Sequence, residues 1–165
     1  MPEPQPSLVL REATPADVPR IHAFIRALAQ FEREPHAVLL TEADLLRDGF
    51  GPVPLFHCIL AEYHHAPAGF ALYFSTYSTW TGPGVHLEDL FVHPDFRGKG
   101  IGKALITRVA AIAHAQGCHR MQWNVLDWNT PAIDFYDSLG AHPLSAWRIM
   151  RVAGHDLTAL ATSLT

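Results

Sequence analysis

The segment Arg97-Gly98-Lys99-Gly100-Ile101-Gly102 sets three glycines beside two cations. Before it, Leu87, Leu90, Phe91 and Val92 form a short apolar run that ends at His93-Pro94, which suits a buried strand. After it, Ile101, Leu105, Val109 and Ile112 recur at helical spacing, the stripe of an amphipathic helix. The glycines therefore stand at a strand-to-helix junction, where unpaired N–H groups of a first helical turn can hold an anion. The missing Cβ atoms let that anion approach the backbone closely. The chemistry implied is phosphate binding. The form is R-G-x-G-x-G, not the dinucleotide G-x-G-x-x-G, and Gly102-Lys103-Ala104 lacks the Ser/Thr that follows a P-loop lysine.

A chain of 165 residues with 48% hydrophobic and 17% charged content reads as one globular domain spanning 1–165, with a loose Pro-rich tail over 1–7. The net charge of −4 carries no polybasic signature for nucleic acid and no cationic membrane patch. No apolar run is long enough to span a bilayer. Cys58 and Cys118 are far apart, which speaks against a disulfide framework and for a reducing cytoplasm. Cys58 lies in an apolar run and reads as core. The eleven histidines are scattered without ligand spacing, so no metal site is expected.

The elements that must hold the glycine loop follow from periodicity and punctuation. Leu8–Leu10 is a first strand. Thr14-Pro15-Ala16-Asp17 opens a helix with Val18, Ile21, Ile25 and Leu28 on one face, fading near Phe31–Glu34. Thr41 opens a shorter helix that Gly49 closes. Phe56–Glu62 and Gly69–Tyr77 are strands around a loop at Tyr63–Pro67, and Ser78–Gly84 is a turn-rich loop. Gly117 ends the helix behind the glycine loop. Met121, Trp123 and Val125 alternate with polar residues as a fifth strand. Asn129 or Thr130 caps a short helix that has Pro131 in its first turn and stops at Gly140. Trp147–Val152 reads as a last strand, and Asp156–Leu164 suits either a strand or a helix. The order predicts an α/β fold with a ligand where the fourth strand meets the glycine loop.

The run V-H-P-D-F-R-G-K-G-I-G-K-A-L resembles the R/Q-x-x-G-x-G/A signature of the GNAT superfamily of N-acetyltransferases. L-T-E-A-D-L-L-R-D-G-F-G, F-H-C-I-L-A-E, G-F-A-L-Y-F-S-T-Y-S-T-W, L-E-D-L-F-V and D-W-N-T-P-A-I-D-F-Y-D-S-L-G-A look like its diamine (spermidine/spermine) branch, over roughly Leu8 to Val152. The resemblance implies the GNAT fold: a mixed, mostly antiparallel sheet splayed at strands 4 and 5, with helices on both faces. It implies acetyl-CoA as donor, CoA as product, no metal, and a homodimer. Leu90, Phe91 and Val92 would line the pantetheine arm through backbone groups. Arg97, Gly98, Lys99, Gly100, Ile101, Gly102 and Lys103 would cradle the pyrophosphate. Asn129, Thr130, Pro131 and Ala132 would meet the pantetheine end. Tyr136 matches the family's general acid toward the leaving thiolate, and Glu88 matches an acid near the acceptor amine.

An alkylamine must lose a proton before it attacks a thioester. Glu88 could accept that proton, directly or through water, and Asp89 could take the same role. A backbone N–H near Phe91 could steady charge on the acyl oxygen. Phe31 and Glu32 fall where the branch has an aromatic-acid pair toward substrate, here without the tyrosine hydroxyl. Gln122, Trp123 and Asn124 could face the acceptor, although only alternate residues of a strand can. Between Leu144 and Trp147 the chain is shorter than the polyamine enzymes and lacks a glutamate, which leaves room for a shorter diamine or a lysine-like amino acid such as thialysine. No cysteine is placed for a covalent acetyl-enzyme. The expectation is direct acetyl transfer to a primary amine; the alternatives are a protein or peptide N-acetyltransferase and a non-catalytic acetyl-CoA-binding module.

Overall fold

Strand pairing in the computed structural model, which describes residues 7–164, runs in chain order. The strands are β1 (Leu8–Glu12), β2 (His57–Tyr63), β3 (Ala66–Ser78), β4 (Gly82–Val92) and β5 (Arg120–Gln122). β1 to β4 pair antiparallel, and β5 joins β4 in parallel. The helices are α1 (Val18–Phe31), α2 (Glu42–Phe50), α3 (Ile101–Ala115), α4 (Thr130–Ser138) and α5 (Gly154–Thr162). Contacts divide the chain into two compact units, Met1–Asn124 and Val125–Thr165, each described here by itself. The stretch 1–6 of the expected tail lies outside the described residues.

In the first unit, antiparallel register sets which side chains share a face. Cys58, Leu60, Phe70, Leu72 and Phe91 line one face of the sheet and pack with Val18, Ile21 and Phe24 of α1 and Leu45 of α2. Phe24 stacks on Phe70 with ring centroids 5.6 Å apart. The intervening residues Ile59, Ala61 and Ala71 face the other way, and α3 packs across the strands through Ile101, Leu105 and Val109. Cys58 is buried in the core, as its apolar surroundings predict. A charged network fixes α1 to the sheet: the Arg11 guanidinium donates to both Asp17 oxygens at 2.8 Å and to Glu62 at 2.9 Å. These bonds, with the Thr14 N–H, hold the Asp17 carboxyl far below the usual carboxylate range.

Several sequence boundaries move. α2 runs through Gly49 to Phe50, with Gly51 following it; the Phe56 ring packs where a Cβ on Gly49 would lie. The β2–β3 loop shrinks to His64-His65, both at positive φ, as a two-residue hairpin turn requires. The turn-rich loop before β4 is partly strand, since Gly82, Pro83 and Gly84 pair with Ser78, Tyr77 and Thr76. β5 stops at Gln122, so Trp123 and Val125 lie beyond it.

In the second unit, Trp147–Val152 is not a strand, and Gly154–Thr162 is helical. A strand needs a ladder partner, and no described segment pairs with this one. Trp147, Ile149, Met150 and Val152 are all exposed, so the alternation on which the strand was expected buries neither face.

Candidate active site

The free edge of β4 organises the first unit's site. β4 meets β5 only through Gly84↔Arg120, Val85↔Met121 and His86↔Gln122. From Leu87 to Val92 it keeps β3 on one side and has no strand on the other among the described residues. An extended ligand can pair with such an edge through backbone groups alone. Phe91 suits this: its side chain is buried in the core, leaving the main chain to face the splay, while Leu90 and Val92 are half-buried.

The strand does not run evenly. Leu72 pairs with Asp89 and Tyr73 with Leu87, so Glu88 is the extra residue of a β-bulge. The bulge re-aims the strand at the point where β5 diverges. Glu88 is 54% exposed at its side chain, and its Oε2 lies 3.3 Å from Nε2 of His86. Asp89 shares the face of its partner Leu72, the side on which the α1 core lies. Burial first, then the charges of Glu88 and Glu32, push the Asp89 carboxyl up to about 7. Glu32, just past the end of α1, is raised by burial and then by Glu88. Three carboxylates expected to serve the amine are thus brought into one electrostatic group.

That arrangement costs stability at high pH. The folded state holds the Asp89 proton more tightly than an unfolded chain, in which an aspartate titrates near 3.9. The contribution of this group is fully present below about pH 4 and is lost as pH rises through about 7. Asp89→Asn is therefore expected to raise the melting temperature at pH 8 and to change it little at pH 4. Thermal unfolding at the two pH values checks this; the gain at pH 8 should be roughly 1–3 kcal/mol.

At the other end of the edge, the chain turns through Pro94–Phe96 into the glycine loop. Gly98 and Gly100 both have φ of +76°, the left-handed region that favours glycine, and a Cβ at either would meet nothing within 4 Å. Gly102 lies in the first turn of α3. The first intrahelical bond runs from Ala104 N–H to Gly100 O at 3.0 Å, and Gly100 offers no capping side chain. The N–H groups of Ile101, Gly102 and Lys103 precede that bond, the orphan donors of a helix N-terminus. Open space and unsatisfied donors fit a pyrophosphate.

The loop's cations are partly committed to the protein. Arg97 Nε donates to Val92 O at 3.1 Å, and its guanidinium sits over Phe31 at 5.3 Å. Phe31 and Arg97, expected on the amine and cofactor sides, therefore meet. Lys99 Nζ lies 5.5 Å from the Tyr63 ring centroid. The backbone amides of Ile101, Gly102 and Lys103 remain at the open end of α3, with the Lys103 side chain on its first turn. Gln122 is the last residue of β5, opposite His86; Trp123 and Asn124 follow it.

Asn129, Thr130, Pro131, Ala132 and Tyr136 belong to the second unit. Asn129 caps α4, its Oδ1 accepting from Ala132 N–H at 3.4 Å, as the sequence allowed. Tyr136 lies in α4, half-buried, its ring 5.3 Å from that of Phe135. Cys58 is no nucleophile: burial, with the Asp17 and Asp89 charges adding to it, pushes its thiol up to about 12. Sequence reasoning did not single out His86, whose imidazole the bulge brings within 3.3 Å of the Glu88 carboxylate.

The Acetyltransferase (GNAT) family model matches residues 20–141. The chain is 41% identical to the thialysine N-epsilon-acetyltransferase of Sus scrofa, over 94% of this chain and 98% of that one. It is 39% identical to the human spermidine/spermine N(1)-acetyltransferase-like protein 1, over 92% of this chain and 23% of the relative. An integron cassette protein of V. cholerae superposes with a TM-score of 0.79 at 28% identity, covering 96% of this chain and 99% of the other. The family draws its acyl group from acetyl-CoA, which the free β4 edge and the open glycine loop fit. Splayed sheet, glycine loop and sequence agree: the chain is an acyltransferase and belongs to the GNAT acetyltransferase family.

Proposed function

We propose that the protein acetylates a primary amine on a short substrate that carries a further ammonium group, a lysine-like amino acid or a small diamine. The carboxylates Glu32, Glu88 and Asp89 carry this reading. Burial first, and then repulsion among the three, raises Glu32 and Asp89 in the free protein, and a bound cation would relieve the repulsion. The thialysine enzyme's similarity over nearly its whole length supports the amino-acid form. The short Leu144–Trp147 connection argues for a substrate smaller than a polyamine.

Acetyl-CoA, when bound, supplies an activated thioester acyl group. The chain's residues do the rest. Loop amides at Ile101–Lys103 hold the pyrophosphate, and β4 main-chain groups at Leu90–Val92 orient the arm. Glu88 accepts the amine proton, directly or through water, as the nitrogen bonds to the acyl carbon. The N–H near Phe91 steadies charge on the acyl oxygen. Tyr136 would give its proton to the departing thiolate, the role its place in the family motif supports.

Thiol release from acetyl-CoA, scored with thialysine, lysine, ornithine, putrescine, spermidine and a peptide with a free N-terminus, tests the reading. The short dicationic amines should exceed the peptide in kcat/KM by at least about 100-fold. A peptide that outcompetes them would overturn it.

A further inference from the structure

The carboxylate given the proton-accepting role is poorly fixed by its own segment. Glu88 sits on a bulge with more than half its side chain exposed, and a free Glu loses considerable rotamer entropy when held in one geometry. His86 is the opposite. Its side chain is only 14% exposed. Its ring stacks on Phe74, with centroids 5.1 Å apart and planes 30° apart. Its backbone is the last rung that ties β4 to β5, opposite Gln122. A locked imidazole therefore stands 3.3 Å from a carboxylate that has no other ion pair among the described residues.

We propose that His86 is a positioning residue for Glu88: its Nε2–H donates to Oε2, holds the carboxylate at the mouth of the β4–β5 splay, and leaves Oε1 for the amine proton. This rests on the reading of Glu88 as proton acceptor. The charged neighbours coupled to Glu88 are Asp89 on the same strand and Glu32 at the end of α1, and both repel it. The groups facing His86 from the adjoining strands, Phe74 on β3 and Gln122 on β5, carry no charge. At 3.3 Å from Oε2, Nε2 of His86 is within donating reach of Glu88.

The bond also dictates the tautomer. With Nε2 protonated, the neutral ring leaves Nδ1 as acceptor.

Three measurements test this. Nitrogen-detected NMR of the free protein should show the Nε2–H tautomer at His86, and Glu88→Gln should shift the Nε2 resonance. His86→Leu should lower kcat about tenfold, with KM and CoA affinity held within about twofold. His86→Gln, whose amide can still donate, should stay within about threefold of the parent, a rescue that a packing role would not give. In the Glu88→Gln background, His86→Leu should have little further effect, because the two act through one hydrogen bond. Full kcat in His86→Leu, or an unchanged His86 resonance in Glu88→Gln, would overturn the proposal. The outcomes separate cleanly from the reading beneath: full activity in Glu88→Gln sinks that residue as proton acceptor, whereas an inactive Glu88→Gln with a fully active His86→Leu sinks only the positioning role. If His86→Leu does not fold, the NMR comparison and His86→Gln decide.

Discussion

Glu88→Gln is expected to lower kcat by about 100- to 1000-fold at pH 7 while leaving the CoA dissociation constant within about twofold. The substitution keeps size and shape, and the amide oxygen can still accept a hydrogen bond from His86; what goes is the negative charge and the basicity. An alkylamine with a lysine-like pKa near 10.4 is neutral in only about one molecule in 2,500 at pH 7. A site that cannot take the proton must wait for that fraction. The deficit should therefore shrink as pH rises toward 9, because the solution then does what Glu88 does at neutrality. Pre-steady-state and steady-state thiol release across pH 6.5–9.5, with calorimetric titration of CoA, read both halves. The substitution should also lower the Asp89 pKa, since the Glu88 charge is one of the causes of its elevation. A Glu88→Gln enzyme with the parent's kcat would move the proton-accepting role to Asp89, the neighbour whose burial already holds it near neutrality.

How much of this was legible in the sequence differs from one residue to the next. The glycine loop was, because glycine at a strand-to-helix junction constrains the backbone directly: Gly98 and Gly100 are at positive φ and α3 begins at Ile101. The helix starts were, because Thr41 and Asn129 are local caps whose partners lie three residues on. The bulge at Glu88 was not, since the apolar run around it gives no alternation from which to detect an extra residue. The opposing register of Leu72 and Tyr73 decides it, and that is a non-local fact. The His86–Glu88 pair was not legible either, since the bulge brings the two side chains together. The last strand failed for a related reason. Trp147–Val152 has strand composition, but β propensity expresses packing in a sheet, and none of the described strands pairs with it. Sequence pattern located the glycine loop well because one local segment builds it. The group of Glu32, Glu88 and Asp89 draws on the end of α1 and on β4, and its geometry depends on pairings far apart in the chain.

Gly100→Val is expected to weaken CoA binding at least about 30-fold, by two separable effects. The first is conformational. Gly100 holds φ of +76° at the N-cap of α3. A β-branched residue there pays roughly 1–2 kcal/mol or moves the loop out of the left-handed region. Either outcome disturbs the first turn, whose amides must point together at an anion. The second effect is occupancy. A Cβ at position 100 meets nothing within 4 Å in the protein, so the side chain would fit the free fold and project into the open space before the helix N-terminus. That space is where a phosphate must come to reach the Ile101–Lys103 amides, and the added bulk would compete with it. Gly100→Asn separates the two, because asparagine adopts the left-handed region with little strain. If strain dominates, Asn should bind CoA nearly as the parent does; if occupancy dominates, Asn and Val should fall together. Titration calorimetry with CoA and thermal unfolding of the free variants give the two quantities independently. A Val variant that keeps the parent's CoA affinity would mean that the pyrophosphate lies elsewhere, and the loop would then be only a tight connection between β4 and α3.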